Sequence, residues 1–95
     1  MVTHIVIFSW LAGVTDEQVA DLGRALDGLA AQQSDILSLR HGRDLVFREG
    51  NGDYALVATF ADREGWASYQ SDPAHMAVVR DFVTPIQASR LTIQF

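Results

Sequence analysis

Residues 3–10 read Thr3-His4-Ile5-Val6-Ile7-Phe8-Ser9-Trp10. Side chains alternate across a strand, so His4, Val6, Phe8 and Trp10 share one face, and Ile5, Ile7 and Ser9 share the other. Both faces are largely apolar, the pattern of a strand covered on two sides. A second stretch, Tyr54-Ala55-Leu56-Val57-Ala58-Thr59-Phe60, repeats it, with Tyr54, Leu56, Ala58 and Phe60 alternating against Ala55, Val57 and Thr59. One layer of helices covers one face of a sheet, so these two strands ask for a second cover.

Working outward, Thr15 is a good N-cap. Asp16 and Glu17 follow where the helix dipole favours acids, and Gln18 completes a capping box. Val19, Leu22, Leu26 and Leu29 recur at helical spacing, giving a helix to about residue 31 with one apolar stripe. Ile36, Leu37, Leu39 and Leu45 mark a further strand, with Gly42 read as a bulge. The stretch Arg48-Glu49-Gly50-Asn51-Gly52-Asp53 is a turn-rich hairpin connection longer than two residues. Asp62 caps a short helix carrying Trp66 and Tyr69 on one face. Asp72-Pro73 restarts it, with Asp as N-cap and Pro at the first helical position. Met76, Val79, Phe82 and Val83 form its inner stripe, and Pro85 ends it. Leu91, Ile93 and Phe95 alternate in a last strand.

The order β-α-β-β-α-β is α+β and ferredoxin-like: a four-stranded antiparallel sheet with helices on one face, in one domain over residues 1–95. The uncovered apolar face must meet something, and another copy of the chain is the simplest partner. A homodimer is therefore expected.

Composition narrows the function. Twelve acidic residues face seven basic ones, all seven of them Arg, for a formal charge of −5. An acidic surface without a basic run repels phosphate backbones, so nucleic acid is a poor partner. The absence of Lys removes Schiff-base chemistry, and the absence of Cys removes disulfides, thiolates and Cys-ligated metals. The N-terminal apolar run lacks a preceding basic stretch and is too short to span a bilayer, so the expectation is no membrane and a cytoplasmic location. His4, His41 and His75 lack ligand-like spacing, and Gly50 and Gly52 lie in a hairpin rather than between strand and helix, so neither metal nor nucleotide cofactor is expected. His41, beside Arg40 and Arg43, reads as a solvated residue at a strand end.

Three residues can do chemistry together: His4, Tyr69 and His75. Imidazole is the side chain that titrates nearest neutrality, and a phenol can donate to a developing oxyanion. Tyr69 and His75 flank the Asp72-Pro73 break, which can turn both toward one space. Each also has a structural reading: His75 as a helix-capping or backbone-bonded ring, Tyr69 as a packing aromatic, His4 as a half-buried, satisfied ring. Leu22, Leu26, Val79 and Phe82 are core, or a pocket wall if the core is incompletely filled, and Trp10 and Trp66 share that ambiguity.

The chain resembles the stress-responsive α/β-barrel domain (Dabb) family. The resemblance rests on His4-Ile5-Val6-Ile7-Phe8, on Gly42-Arg43-Asp44 followed by strand 54–60, and on Tyr69-Gln70-Ser71-Asp72-Pro73-Ala74-His75, in that order. It implies a homodimer whose sheets pack face to face as a closed barrel, and a small apolar pocket in each subunit between sheet and helices. The residues expected to line it are His4, Val6, Phe8, Leu22, Leu26, Tyr54, Leu56 and Val78. In cyclase-like members the residues matching Tyr69 and His75 are the catalytic pair. Tyr69 would hold a carbonyl and its enolate, His75 would remove a proton, and His4 would orient substrate. Two positions depart from that pattern. Gln94 stands where an Asp supports the catalytic His, and Tyr54 stands where the pattern has another His. Three roles follow: a stress-type dimer binding a small apolar or aromatic ligand, a cofactor-free polyketide cyclase-like enzyme, or a cofactor-free monooxygenase.

Overall fold

The computed structural model describes all 95 residues. Its elements are β1 (Val2–Trp10), α1 (Asp16–Gln32), β2 (Ile36–Arg43), β3 (Tyr54–Phe60), α2 (Arg63–Ser71), α3 (Pro73–Val78), a π-helical turn (Val79–Val83) and β4 (Gln87–Gln94). The four strands form one antiparallel sheet in the order β2-β3-β1-β4. This is the ferredoxin-like arrangement, with β1 and β3 in the middle.

The helix starts are fixed locally. Thr15 Oγ1 accepts the Gln18 N–H at 3.2 Å while Gln18 Oε1 accepts the Thr15 N–H at 2.9 Å, a complete capping box. Val19, Leu22, Leu26 and Leu29 are the buried residues of α1, the stripe read from the sequence. Asp62 accepts the Gly65 N–H at 2.8 Å to start α2. Asp72 accepts the Ala74 N–H at 2.8 Å and Pro73 occupies the first turn of α3.

Two elements differ from the sequence expectation. Met76 is 57% exposed, outside the inner stripe. The π turn holds an extra residue in its loop of hydrogen bonds, shifting the phase of everything upstream. Ala74, Val78 and Val79 pack against the core in its place, and Val83 is buried within the turn itself. The irregularity of the β2–β3 ladder falls between Ile36 and Ser38 rather than at Gly42, and Leu45 lies beyond the end of β2.

The core is on the helix side of the sheet. Val6, Phe8, Tyr54, Leu56, Ala58 and Phe60 meet the α1 stripe, Tyr69, Val83 and Ile86. Fourteen of 95 residues are buried, and His4 is the only polar one. On the opposite face Ile7, Val57, Leu91 and Ile93 are exposed to solvent, as the alternation required. No helix is long and apolar enough to cross a membrane.

Candidate functional site

The register of the sheet decides which candidates meet. His4 on β1 lies opposite Ala58 on one side and Gln94 on the other. Tyr54 lies opposite Phe8, four residues further along the strand, or about 13 Å at the usual strand rise. Tyr54 and Phe8 therefore belong to the far end of the core and stand apart from His4.

Around His4 the structure gathers Trp66 and Tyr69 from α2, His75 from α3 and Gln94 from β4. The His4 and Trp66 rings are 6.2 Å apart between centroids, and Tyr69 and His75 are 4.2 Å apart. Phe60 packs on the other side of Tyr69 at 5.2 Å. The α2–α3 break does what the sequence suggested. Asp72 ends one helix and starts the next, and this turn brings His75 back beside Tyr69.

The hydrogen bonds assign the ring tautomers. Gln94 Nε2 donates to His4 Nδ1 at 2.9 Å, so His4 carries its proton on Nε2. His75 Nδ1 donates to the Gln70 carbonyl at 3.3 Å, leaving Nε2 with a lone pair. Gln94 thus supports His4, not His75 as the resemblance implied, because the β1–β4 register puts it directly across from His4. Burial lowers the pKa of both rings. His75 and Arg90 lower His4 further, and for His75 the Gln70 bond partly opposes the burial. Both are neutral at neutral pH. Burial also pushes the Tyr69 phenol up to about 12, so it keeps its proton and can donate. The indole Nε1 of Trp66 is buried without a partner. No protein partner lies within reach of it or of the buried Gln87 Oε1, and buried polar groups so placed are generally satisfied by water or a ligand.

The cluster therefore holds one imidazole nitrogen able to take a proton and three N–H or O–H donors: His4 Nε2, Tyr69 Oη and Trp66 Nε1. Its side toward α1 is filled. Leu22 and Phe60 are fully enclosed, and Val6, Leu26 and Leu56 are core residues. A cleft of about 360 Å³ lined by Val2, Arg63, Trp66, Gln94 and Phe95 meets the cluster at Trp66 and Gln94, while His4, Tyr69 and His75 stand behind them. Val78 lines a separate cleft of about 450 Å³ between α1 and α3, with Leu29, Ala74 and Phe82.

His41 is not a solvated strand end. Its Nε2 donates to Asp27 Oδ1 at 2.6 Å and its Nδ1 accepts the Tyr54 hydroxyl at 2.6 Å. Burial and the Asp27 charge raise the Tyr54 pKa, with Arg43 opposing. Gly23 makes room for this chain, since a Cβ there would stand 3.3 Å from Tyr54 Oη. Period-two counting from Leu39 puts His41 on the helix-side face, and that was the available signal.

The model of the Stress responsive A/B Barrel Domain family matches residues 2–95. The chain belongs to the Dabb family. A dimeric ferredoxin-like protein of unknown function from Thermobifida fusca is 34% identical, superposes with a TM-score of 0.92, and aligns over 99% of this chain and 88% of its own. The hydroxynitrile lyase of Passiflora edulis is 16% identical with a TM-score of 0.86, over 99% and 90% of the two chains. The cofactor-independent oxygenase SnoaB of Streptomyces nogalater is 16% identical with a TM-score of 0.75, over 99% and 89%. At that identity the two enzymes share the fold with this Dabb chain and nothing finer. No curated protein matches it significantly.

Proposed function

We propose that residues 1–95 act as one domain, that the Dabb protein works as a cytoplasmic homodimer joined through the outer sheet face, and that each protomer binds a small, largely apolar carbonyl compound at the His4–Trp66–Tyr69–His75 cluster. The observation that carries the binding site is Trp66, whose buried indole N–H has no protein acceptor, whose ring is 6.2 Å from that of His4, and whose side chain lines the Val2–Phe95 cleft. A ligand carbonyl entering there satisfies that donor, with Tyr69 and His4 as further donors. The exposed apolar face and the dimeric state described for the Thermobifida fusca protein support the homodimer.

A second reading adds chemistry. His75 is held through Nδ1 with Nε2 free, the arrangement of a general base, while Tyr69 stays protonated. Together they would abstract a proton next to the bound carbonyl and stabilise the enolate. Two proteins of this fold are named as a lyase and a cofactor-independent oxygenase, so the architecture is compatible with catalysis.

One experiment addresses both. 2,4-Dihydroxyacetophenone is titrated against the protein by Trp fluorescence, and deuterium uptake into its methyl group is followed by NMR in D2O. Saturable binding weakened about tenfold in Trp66→Phe is expected from loss of one hydrogen bond to a buried donor. If exchange also exceeds buffer, His75→Ala should reduce it by about 100-fold or more. Binding without exchange leaves the ligand-binding reading alone. No saturable binding by this or related aryl ketones removes both.

A further inference from the structure

The loop joining β2 to β3 presents three consecutive large apolar side chains, Leu45, Val46 and Phe47, which are 72%, 79% and 87% exposed. In an acidic, polar hairpin connection this is the reverse of what solvent favours. Their placement is enforced. Asp44 Oδ2 accepts the Val46 N–H at 3.0 Å, Asp44 Oδ1 accepts from Asn51 Nδ2 at 3.0 Å, and the Asp44 N–H donates to the Asp53 carbonyl at 2.9 Å. Asp53 is tied in turn to β1, through its N–H to the Phe8 carbonyl at 2.7 Å and through its carboxylate to the Trp10 N–H at 2.7 Å. Val46 is held at φ 58°, a left-handed conformation that a β-branched residue resists and that persists where the surroundings impose it.

The loop curls toward the outer sheet face, the one no helix covers. Gly52 approaches Ile7 so closely that a Cβ there would overlap Ile7 Cγ2. Ile7, Gly42, Leu45, Phe47, Gly52 and Ala55 line a cleft of about 440 Å³. Ile7 and Ala55 are paired neighbours on that outer face. Leu45 and Phe47 therefore form one continuous surface with the outer face, while Val46 turns to a separate cleft beside Trp10, Val14 and Val19.

We infer that Leu45 and Phe47 are part of the dimer interface, and that the loop of each protomer laps onto the outer face of a second copy of this chain. This inference rests on the homodimer reading and adds to it a segment outside the sheet. The occupant is a second copy because the cleft opens onto the same apolar face that the two sheets would share. A loop serving a different protein would have no reason to run on into that face.

The test is sedimentation of the wild type and of Phe47→Ser across a concentration series. Phe47 is almost fully exposed in the single chain, so the variant keeps its circular dichroism while the dimer dissociation constant rises about 100-fold, the loss typical of a buried aromatic anchor. The chain has no Cys, so Phe47→Cys introduces a single thiol. That thiol should react with a maleimide at least tenfold more slowly in the dimer than after dilution to monomer. A wild type that is monomeric at every concentration overturns the homodimer reading and this inference with it. A dimeric wild type whose dissociation constant Phe47→Ser leaves within twofold, with a thiol at 47 equally reactive in both states, overturns this inference alone.

Discussion

Both faces of the sheet carry apolar side chains, and the two have opposite fates. On the helix side, Val6, Phe8, Leu56, Ala58 and Phe60 are enclosed by α1, α2 and the π turn. On the outer side, Ile7, Val57, Leu91 and Ile93 point into solvent. The inner face is closed by the chain's own helices, whereas closure of the outer face depends on what the chain meets. One face is thus a matter of folding and the other of association, and substitutions on the two faces should be felt in different measurements.

The largest expected effect is on the outer face. Val57 sits near its centre, paired with Ile5 on β1 and Arg40 on β2. Val57→Asp places a carboxylate where the two sheets would meet, and desolvating it there costs more than pairing with Arg40 across the strands returns. Light scattering at micromolar concentration should give twice the chain mass of 10.5 kDa for the wild type and a single mass for the variant. An unchanged mass and melting temperature would move the interface elsewhere.

On the inner face the matching change is Phe60→Ala. Phe60 is fully enclosed and packs on Tyr69. Removing it leaves a cavity and should cost about 3–5 kcal/mol of stability, a large share of what a small domain has. Urea unfolding read at equal subunit association isolates the effect. If the loss were under about 1 kcal/mol, the inner core would be less tightly packed than the structure indicates.

The sequence showed these two faces well because alternation and capping are local. Thr15 and Gln18 are three residues apart, and Asp72-Pro73 is contiguous, so each can be read without knowing the fold. What escaped depends on register or phase. Met76 turns outward because the π turn downstream shifts the helical phase, and nothing in the run from Met76 to Val83 announces an extra residue. His41 is held by Asp27, fourteen residues earlier on another element. His4, Tyr69 and His75, grouped by their chemistry and by the family resemblance, lie at one end of the core, with the Tyr69 and His75 rings 4.2 Å apart. The resemblance also grouped Tyr54 with them, and the pairing of Tyr54 with Phe8 rather than with the His4 end separates it. Gln94 was legible as a departure, but its partner required the β1–β4 register. The Trp66 indole was visible only as an ambiguous aromatic, since a missing partner is a property of the packed structure.

The smallest predicted effect reads the polar corner of the inner face. Burial holds both His4 and His75 below the ordinary imidazole value, with the His75 charge and Arg90 further disfavouring the protonated form of His4, and with the Gln70 carbonyl raising, Arg90 lowering and Asp72 raising His75. In the unfolded chain both titrate near 6.5, a little over two units above the carboxylate range. Below that value the unfolded state binds more protons than the folded one, so stability falls with pH. The contribution is fully present above about pH 6.5 and is lost as the pH drops from there toward the depressed folded values. The melting temperature of the protein should therefore decline between about pH 6.5 and 5, a window that opens before most carboxylates titrate. Replacing both rings with Gln, which carries no titrating proton, should flatten that decline. No imidazole stands on the outer face with Ile5, Ile7, Val57, Leu91 and Ile93, so Val57→Asp should leave the slope in this window in place whatever it does to association. If the double Gln variant kept the wild-type slope, the two imidazoles would be titrating in the fold much as they do in the open chain, and the corner would be wetter than its burial implies.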